Sequence, residues 1–183
     1  MGDPVHIDRS GEIRRMEFEL RSWQMSDLPS LVRHANEAEI AANMTDTFPH
    51  PYTIATGEAF LQRVSVDRPA RVLAIVIDGE AVGSIGIFPQ QDIFRQNAEL
   101  GYWLSHEFWG KGIMSEAVKQ ITRYGFETFP ELQRIFARPF GSNAASRKVL
   151  ENAGFQLEAE LKGTIIKNGR IEDEMIYAIR REA

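Results

Sequence analysis

The chain has 183 residues, of which 43% are hydrophobic and 26% are charged, and a chain of this size supports one hydrophobic core rather than two ordinary domains. Its 26 acidic side chains outnumber the 21 basic ones, and the formal charge of -5 argues against the broad basic surface of a nucleic-acid-binding protein. Because the sequence contains no cysteine, disulfides, thiolate metal sites and a cysteine nucleophile are excluded.

The start of the chain shows no targeting or membrane signal. No apolar run reaches the roughly 18 residues of a membrane span, and the first residues lack the apolar stretch of a secretion signal, so we expect a cytoplasmic protein. Residues 1–15 are polar and aperiodic, and Gly2, Pro4 and Gly11 interrupt regular structure. We expect these residues to form a flexible N-terminal extension and residues 16–183 to form a single domain.

The first third of the domain predicts one strand and two helices. Apolar residues alternate over positions 16–23, which is typical of a half-buried strand. Ser26-Asp27 caps the first helix and Thr56 caps the second. The connecting residues 44–55 are rich in proline and aromatic residues. This loop either lines a substrate pocket or packs its aromatic side chains on the core.

The middle of the chain predicts three strands. Residues 71–88 contain two apolar runs on either side of Asp78-Gly79-Glu80, a hairpin signal because glycine accepts the positive φ angle of a tight turn. The third strand covers residues 97–104. Gly83 and Gly86, inside the second strand, indicate a bulge or the close approach of another backbone segment.

The last part of the chain alternates helices and strands. The pattern predicts a helix over 112–129, a strand over 133–138, a short helix over 143–152 that Gly154 ends, and two antiparallel strands joined at Asn168-Gly169. This order of elements implies an α+β fold in which helices flank a mixed, mostly antiparallel central sheet.

The turn between the third strand and the long helix is a candidate binding site. In Phe108-Trp109-Gly110-Lys111-Gly112, the glycines let backbone N–H groups converge on an anion, and the helix dipole adds positive charge there. It is neither a Walker loop nor a dinucleotide fingerprint, because no Ser or Thr follows Lys111 and no glycine stands at position 115. By itself this turn is a weak signal for phosphate binding.

A second motif lies downstream and runs from Asn143-Ala144-Ala145-Ser146 to Gly154-Phe155. Together with the glycine turn, it resembles the GNAT superfamily of acyl-CoA-dependent N-acetyltransferases, most closely the branch of RimJ- and RimL-type ribosomal-protein N-terminal acetyltransferases. Other segments also match that branch, namely Leu20-Arg21-Ser22-Trp23, Asp27, Pro51-Tyr52-Thr53 and residues 98–104. The likeness covers roughly residues 16–180 and implies a GNAT-like acyl-CoA N-acyltransferase fold.

The resemblance implies acetyl-CoA as the cosubstrate and an amine as the acceptor. The pantetheine arm would pair with the strand edge formed by Trp103, Leu104 and Ser105, as a peptide does in β-augmentation. The pyrophosphate would be held by five backbone amides, those of Gly110, Lys111, Gly112, Ile113 and Met114. Asn143 and Ser146 would face the thioester.

Two positions depart from the family pattern. Glu107 stands where the superfamily often has Gln or Arg, so the backbone must do most of the phosphate binding. Leu150 stands where many members have a tyrosine that protonates the leaving thiolate. A thiol with a pKa of about 8.5 leaves as a tolerable anion. Ser146 is the first candidate for the proton donor, with Tyr177 and water as alternatives.

Without a cysteine, direct attack of a neutral amine on the thioester is favoured over a covalent acyl-enzyme. A peptide α-amine, with a pKa of about 8, needs less help from a base than a lysine-like amine at about 10.4. The candidate base is Glu99, although a solvent-facing strand carboxylate would have the same pattern. The backbone N–H of Leu104 or its neighbour is the candidate oxyanion donor. We therefore expect catalytic roles for Glu99 and Ser146.

Three functions stay open at this point. The first is acetyl transfer, through a ternary complex, to a primary amine of a peptide N-terminus or a small molecule. The second is modification of antibiotics or polyamines on the same scaffold, and the third is a catalytically silent acyl-CoA-binding module. The four histidines lack metal-ligand spacing, so we expect no metal. We expect neither nucleic acid nor membrane as a partner, while a homodimer stays open.

Overall fold

The computed structural model describes residues 17–182 and, before them, two short strands, β1 (His6–Ile7) and β2 (Ile13–Arg14), which pair antiparallel. The rest of the expected flexible extension lies outside the described residues. Within residues 17–182, seven strands form one sheet: β3 (Glu19–Ser22), β4 (Val72–Ile77), β5 (Glu80–Pro89), β6 (Asn97–Leu104), β7 (Arg134–Ala137), β8 (Gln156–Lys167) and β9 (Arg170–Arg180). The helices are α1 (Leu28–Ala35), α2 (Ala38–Ala41), α3 (Ile54–Val64), α4 (Ile113–Thr128) and α5 (Ala144–Asn152).

The sheet has the order β3-β4-β5-β6-β7-β9-β8. All neighbouring strands are antiparallel except β6 and β7, which are parallel. This confirms the mixed, mostly antiparallel sheet predicted from the sequence. Within residues 17–182, the order of strands and helices is also as predicted, apart from the additional four-residue helix α2. No helix among residues 17–182 is both long enough and apolar enough to cross a bilayer.

Helices cover both faces of the sheet. Because successive side chains of β6 point to opposite faces, this strand contributes to the core on each side. Leu100 and Leu104 belong to a core shared with α4, whose Val118 and Ile121 are fully buried. Trp103, between the two leucines, belongs to a second core on the opposite face, which contains residues of α1 and α3. The first core also contains Leu150 of α5, so each face of β6 meets a different pair of helices.

Glycines provide the tight turns and the close approach that their positions predict. Asp78 and Gly79 both have positive φ, at 49° and 83°, and they join β4 to β5. Within β5, a Cβ atom on Gly83 would lie 2.7 Å from the carbonyl oxygen of Trp103. A larger residue at position 83 would therefore push β5 away from β6.

The start of α3 corrects one prediction. Thr53 is the N-cap, because its Oγ1 accepts a hydrogen bond from the N–H of Thr56 at 3.2 Å. Thr56, which the sequence suggested as the cap, lies inside the first turn of the helix. The extended backbone of Thr53, with φ -95° and ψ 164°, is the geometry that an N-cap residue requires.

Asp27 is a buried carboxylate that ties β3 to α1. It is 6% exposed, and its oxygens accept two hydrogen bonds from the guanidinium of Arg21, both 2.8 Å long, and one from the N–H of Gln24 at 2.9 Å. Burial opposes its charge most strongly, but the hydrogen bonds and the charge of Arg21 together outweigh that cost. They hold the pKa of Asp27 below its ordinary value.

We expect Asp27→Asn to lower the free energy of unfolding at pH 7 by about 1–3 kcal/mol, because it leaves the guanidinium of Arg21 without its charged hydrogen-bond partner. A lowered pKa in the folded state stabilises the protein above the unfolded value of about 3.9, and the stabilisation is lost as the pH falls through the folded value. Urea unfolding of the protein and the variant at pH 7 and pH 3 should therefore show a difference that shrinks at pH 3. Asp46→Asn, at an 84% exposed carboxylate paired with Lys167, is the control and should change stability by less than about 0.5 kcal/mol. An Asp27→Asn effect that is equal at both pH values would contradict this assignment.

Candidate active site

The sheet opens between β6 and β7. The two strands pair only as far as Glu99 and Phe136. Beyond that point the chain after β7 stays with β9, where Phe140 pairs with Glu174, whereas β6 stays with β5 to its end. A wedge-shaped opening is therefore left between the parallel strands, at the end where the glycine turn begins.

The register of β6 against β5 determines which backbone groups face this opening. The N–H of Ser105 donates to the carbonyl of Val82 at 2.9 Å, and the pairing is continuous along β6, so the odd-numbered residues of β6 bond to β5. In an antiparallel pair, the intervening residues direct their backbone groups to the other side. The N–H groups of Tyr102 and Leu104 consequently point into the opening.

Ser105 does not have the role predicted for it at this edge. Its N–H is used by Val82, and its side chain is 1% exposed and lies outside the cavity lining. Its Oγ donates to Glu37 Oε1 at 2.6 Å and lies 3.0 Å from Nδ1 of His34. Glu37 also accepts the N–H of His106 at 2.8 Å. Ser105 thus anchors the start of the glycine turn to the segment between α1 and α2.

A cavity of about 1320 Å³ occupies the opening and its surroundings. This volume exceeds the roughly 300–1,000 Å³ of ordinary small-molecule pockets, so it has room for a large cosubstrate together with an acceptor. All the candidate site residues except Ser105 line it, namely Glu99, Trp103, Leu104, Gly110, Lys111, Gly112, Ile113, Met114, Asn143 and Ser146.

One part of the loop over residues 44–55 lines the cavity, and another part packs its aromatic side chains on the core. Met44, Thr45 and Thr47 line the cavity. Tyr52 is 5% exposed and packs in the core on the α1 and α3 side, and Phe48 packs against it with the ring centroids 5.3 Å apart. The first part of the loop is therefore exposed to the cavity, and the aromatic part fixes the loop in place.

The glycine turn forms an open cradle at the start of α4. Gly110 and Gly112 have positive φ, at 72° and 74°, and Gly112 is the N-cap of the helix. Among the described residues, no side chain caps this end, and a Cβ atom added to Gly110 would meet nothing within 4 Å. The first N–H groups of α4 have no earlier turn of helix to bond to. Lys119 and Lys148 also line the cavity.

Glu107 does not obstruct this cradle. Its side chain is 64% exposed, and one carboxylate oxygen lies 3.6 Å from Nδ1 of His34. It is not among the residues that line the cavity. The acidic residue that departs from the family pattern is therefore turned away from the glycine turn, towards α1.

Ser146 has a neighbour that the sequence analysis missed. The hydroxyl oxygen of Tyr102 lies 2.7 Å from Oγ of Ser146, and the Ser146 N–H donates to Oδ1 of Asn143 at 3.1 Å, so that Asn143 caps α5. Burial raises the pKa of Tyr102 above its ordinary value, which keeps the phenol protonated at neutral pH. In the sequence, Tyr102 could be placed on the α4 face of β6. Its contact with Ser146 could not be predicted, because the two residues are 44 positions apart in the chain.

Two other residues named from the sequence lie away from this pair. Leu150, at the position of the family tyrosine, is fully buried in the core. Tyr177 is 1% exposed and does not line the cavity; its hydroxyl donates to Glu151 at 3.0 Å and accepts from Arg147 at 3.3 Å. Tyr102 is therefore the tyrosine that contacts Ser146, and Tyr177 holds α5 against β9.

Glu99 and Ser146 lie on opposite faces of the sheet. Glu99 is on the face of Trp103, because residues two apart share a face. Tyr102 is on the other face, where it reaches Ser146. The opening between β6 and β7 joins the two faces, since Glu99 and Ser146 line the same cavity. A group placed in the opening is accessible to a carboxylate from one side and to a hydroxyl pair from the other.

Residues 17–156 match the family model described as the acetyltransferase (GNAT) domain. The chain belongs to the GNAT acetyltransferase family. This GNAT chain is 30% identical over 166 residues to the uncharacterized N-acetyltransferase p20 of Bacillus licheniformis, covering 87% of this chain and 90% of p20. It is also 30% identical over 109 residues to a ribosomal-protein-serine acetyltransferase of Escherichia coli, covering 60% of each protein. The enzyme class is that of an acyltransferase.

The GNAT fold itself is also seen in solved structures. RimL, described as a ribosomal L7/L12 alpha-N-protein acetyltransferase in complex with coenzyme A, superimposes with a TM-score of 0.78 at 22% identity, covering 96% of this chain and 97% of RimL. This likeness confirms the fold predicted from the resemblance. Within residues 17–182, this GNAT domain contains no group of three or more His, Asp or Glu side chains arranged to hold a metal ion.

Proposed function

We propose that this GNAT domain binds acetyl-CoA in the cavity and transfers the acetyl group directly to a primary amine. The observation that carries the proposal is the glycine turn at the uncapped start of α4. Two residues of positive φ leave backbone N–H groups open towards the cavity, and the helix dipole adds positive charge, which together suit a diphosphate. The backbone amides of Gly110 to Met114 are the proposed ligands.

The opening between β6 and β7 suits the rest of the cosubstrate. The N–H groups of Tyr102 and Leu104 point into it, and an extended chain with amide groups can bond to such a strand edge. The Leu104 N–H is fixed by the sheet before any reaction, so it is also the proposed donor to the oxyanion that develops on the thioester carbonyl. Leu104 thus keeps the binding role expected of it, whereas the backbone of Trp103, like that of Ser105, bonds to β5, and Trp103 only lines the cavity.

The reaction needs two proton transfers, and each takes place on a different face of the opening. On one face Glu99 accepts a proton from the amine, whose nitrogen forms the new bond to the acetyl carbon. On the other face Ser146 donates a proton to the sulfur as the carbon–sulfur bond breaks. Ser146 then regains a proton from the Tyr102 hydroxyl, which takes one from water in the cavity. Because the amine attacks directly, no acyl-enzyme is needed, in keeping with the absence of cysteine.

Calorimetry with coenzyme A tests the anion site, and Gly110 offers a matched pair of variants. Asn and Asp both tolerate positive φ and have the same shape. Gly110→Asp should weaken coenzyme A binding roughly 10- to 100-fold more than Gly110→Asn, because a like charge a few ångströms from a phosphate costs about 1–4 kcal/mol. Gly169→Asp is the control, since Gly169 also has positive φ, at 74°, with nothing within 4 Å of a Cβ, but it does not line the cavity.

Release of free thiol from acetyl-CoA, measured with a panel of peptides and small amines, tests the transfer itself. Thiol release that depends on an added amine supports the proposal. Tight coenzyme A binding without release on any amine would instead favour a silent acyl-CoA-binding module. Equal coenzyme A affinities in the Asp and Asn variants at position 110 would remove the glycine turn from the binding site.

A further inference from the structure

The cavity wall next to Glu99 carries a cation that the proposed chemistry does not use. Glu99 pairs with Phe136 in the parallel ladder, and Arg138, two residues further on, lies on the same face. Both Glu99 and Arg138 line the cavity. The pKa of Arg138 is raised first by its hydrogen bond to Glu174, and the charge of Glu99 adds to this effect.

Glu174 holds the guanidinium of Arg138 in place. Its carboxylate is 5% exposed and accepts a hydrogen bond from Nε of Arg138, while its other oxygen accepts from Thr164 Oγ1 at 3.3 Å. Within residues 17–182, no hydrogen bond engages the two terminal nitrogens of Arg138, and half of its side chain is exposed. The fixed edge of the guanidinium faces Glu174, and its donors remain available to a ligand.

This pair of charges matches an acceptor that has an amine and an oxygen close together. An amine at Glu99 would place a neighbouring carbonyl or carboxylate oxygen near Arg138, whose planar fork of N–H donors suits such oxygens. A polyamine has no such oxygen, and its other cationic groups would meet the guanidinium unfavourably. The adjacent charges therefore discriminate between a peptide N-terminus and a polyamine, two of the acceptors that the sequence left open.

We infer that Arg138 is a specificity-determining residue, which favours acceptors with a carbonyl or carboxylate oxygen next to the reacting amine and disfavours polyamines. The inference rests on the proposed acetyl transfer. Arg138 binds the acceptor in this scheme and takes no part in moving protons. Its loss should therefore raise the KM for an oxygen-bearing acceptor and leave kcat almost unchanged.

The test compares kcat/KM for the tripeptide amide Ser-Ala-Ala with kcat/KM for spermidine. The intact protein should prefer the tripeptide. The combined variant Arg138→Gln with Glu174→Gln removes both charges, so that neither charged group is left without its partner. It should lower the ratio about 10- to 100-fold, which corresponds to the loss of one hydrogen bond to a charged group. Arg138→Lys keeps a partner for Glu174 but loses the fork, and should lower the ratio less. Arg180→Gln, at an arginine that pairs with Glu158 and does not line the cavity, is the control and should leave the ratio unchanged.

The outcomes separate this inference from the function on which it rests. A ratio that stays the same in the double variant and in Arg138→Lys, or a preference of the intact protein for spermidine, overturns the inference while acetyl transfer stands. Coenzyme A binding without transfer to any amine overturns the proposed function and the inference together. Coenzyme A affinity also reports whether each variant is folded; if the double variant does not bind, Arg138→Lys decides the question.

Discussion

Glu99→Gln should lower kcat for acetyl transfer at pH 7 by roughly 10²- to 10⁴-fold, the range for loss of a positioned general base. Glutamine has nearly the shape of glutamate but does not accept a proton from the amine. The coenzyme A affinity should stay the same, because the glycine turn lies at the far end of β6 from Glu99. A loss in kcat without a loss in cosubstrate affinity identifies a role in the reaction rather than in binding.

The pH dependence gives a second test of the same residue. An α-amine with a pKa of about 8 is mostly neutral at pH 9.5, where it no longer depends on a base for its first deprotonation. The deficit of Glu99→Gln should therefore shrink as the pH rises from 7 to 9.5. Glu127→Gln, at an exposed carboxylate in the last turn of α4, is the matched control. A kcat for Glu99→Gln equal to that of the control would mean that water accepts the proton.

The fold was largely predictable because the turns that separate its elements are determined by local sequence. Asp78-Gly79 and Asn168-Gly169 have positive φ at both positions, as their residue types predict, and β6 has the predicted bounds. α2 escaped prediction because four residues are too few to show helical periodicity, and its one buried side chain is Ile40. The N-cap at Thr53 was missed because two threonines three residues apart are equally good caps, and only the backbone of Thr53 is extended.

In the site, too, the features that depend on local sequence were predicted, and those that depend on contacts between distant residues were not. The glycine turn was visible because residue type and the start of α4 define it. Ser105 was misassigned because a strand residue of unknown register does not reveal which neighbour takes its N–H, and here Val82 does. The Tyr102 partner of Ser146 depends on how α5 packs over β6, which no local pattern encodes.

Ser146→Ala should lower kcat by about 10²-fold, the lower end for loss of a general acid. Tyr102→Phe removes only the hydrogen bond to the serine and should lower kcat by about 3- to 10-fold, corresponding to roughly 0.5–1.5 kcal/mol. If Tyr102 acts through Ser146, the double variant should be no slower than Ser146→Ala alone, because the two residues share one function. Single-turnover rates with saturating acetyl-CoA measure all three variants.

Ser142→Ala is the matched control for this cycle, since Ser142 is exposed in the loop before α5 and does not line the cavity. If the losses in kcat of the two single variants multiply in the double variant, Tyr102 reaches the thiolate without Ser146. The tyrosine would then have the role that the buried Leu150 leaves empty in this chain. Full activity of Ser146→Ala would instead assign the proton to water and reduce Ser146 to a small residue that packs α5 against the cavity.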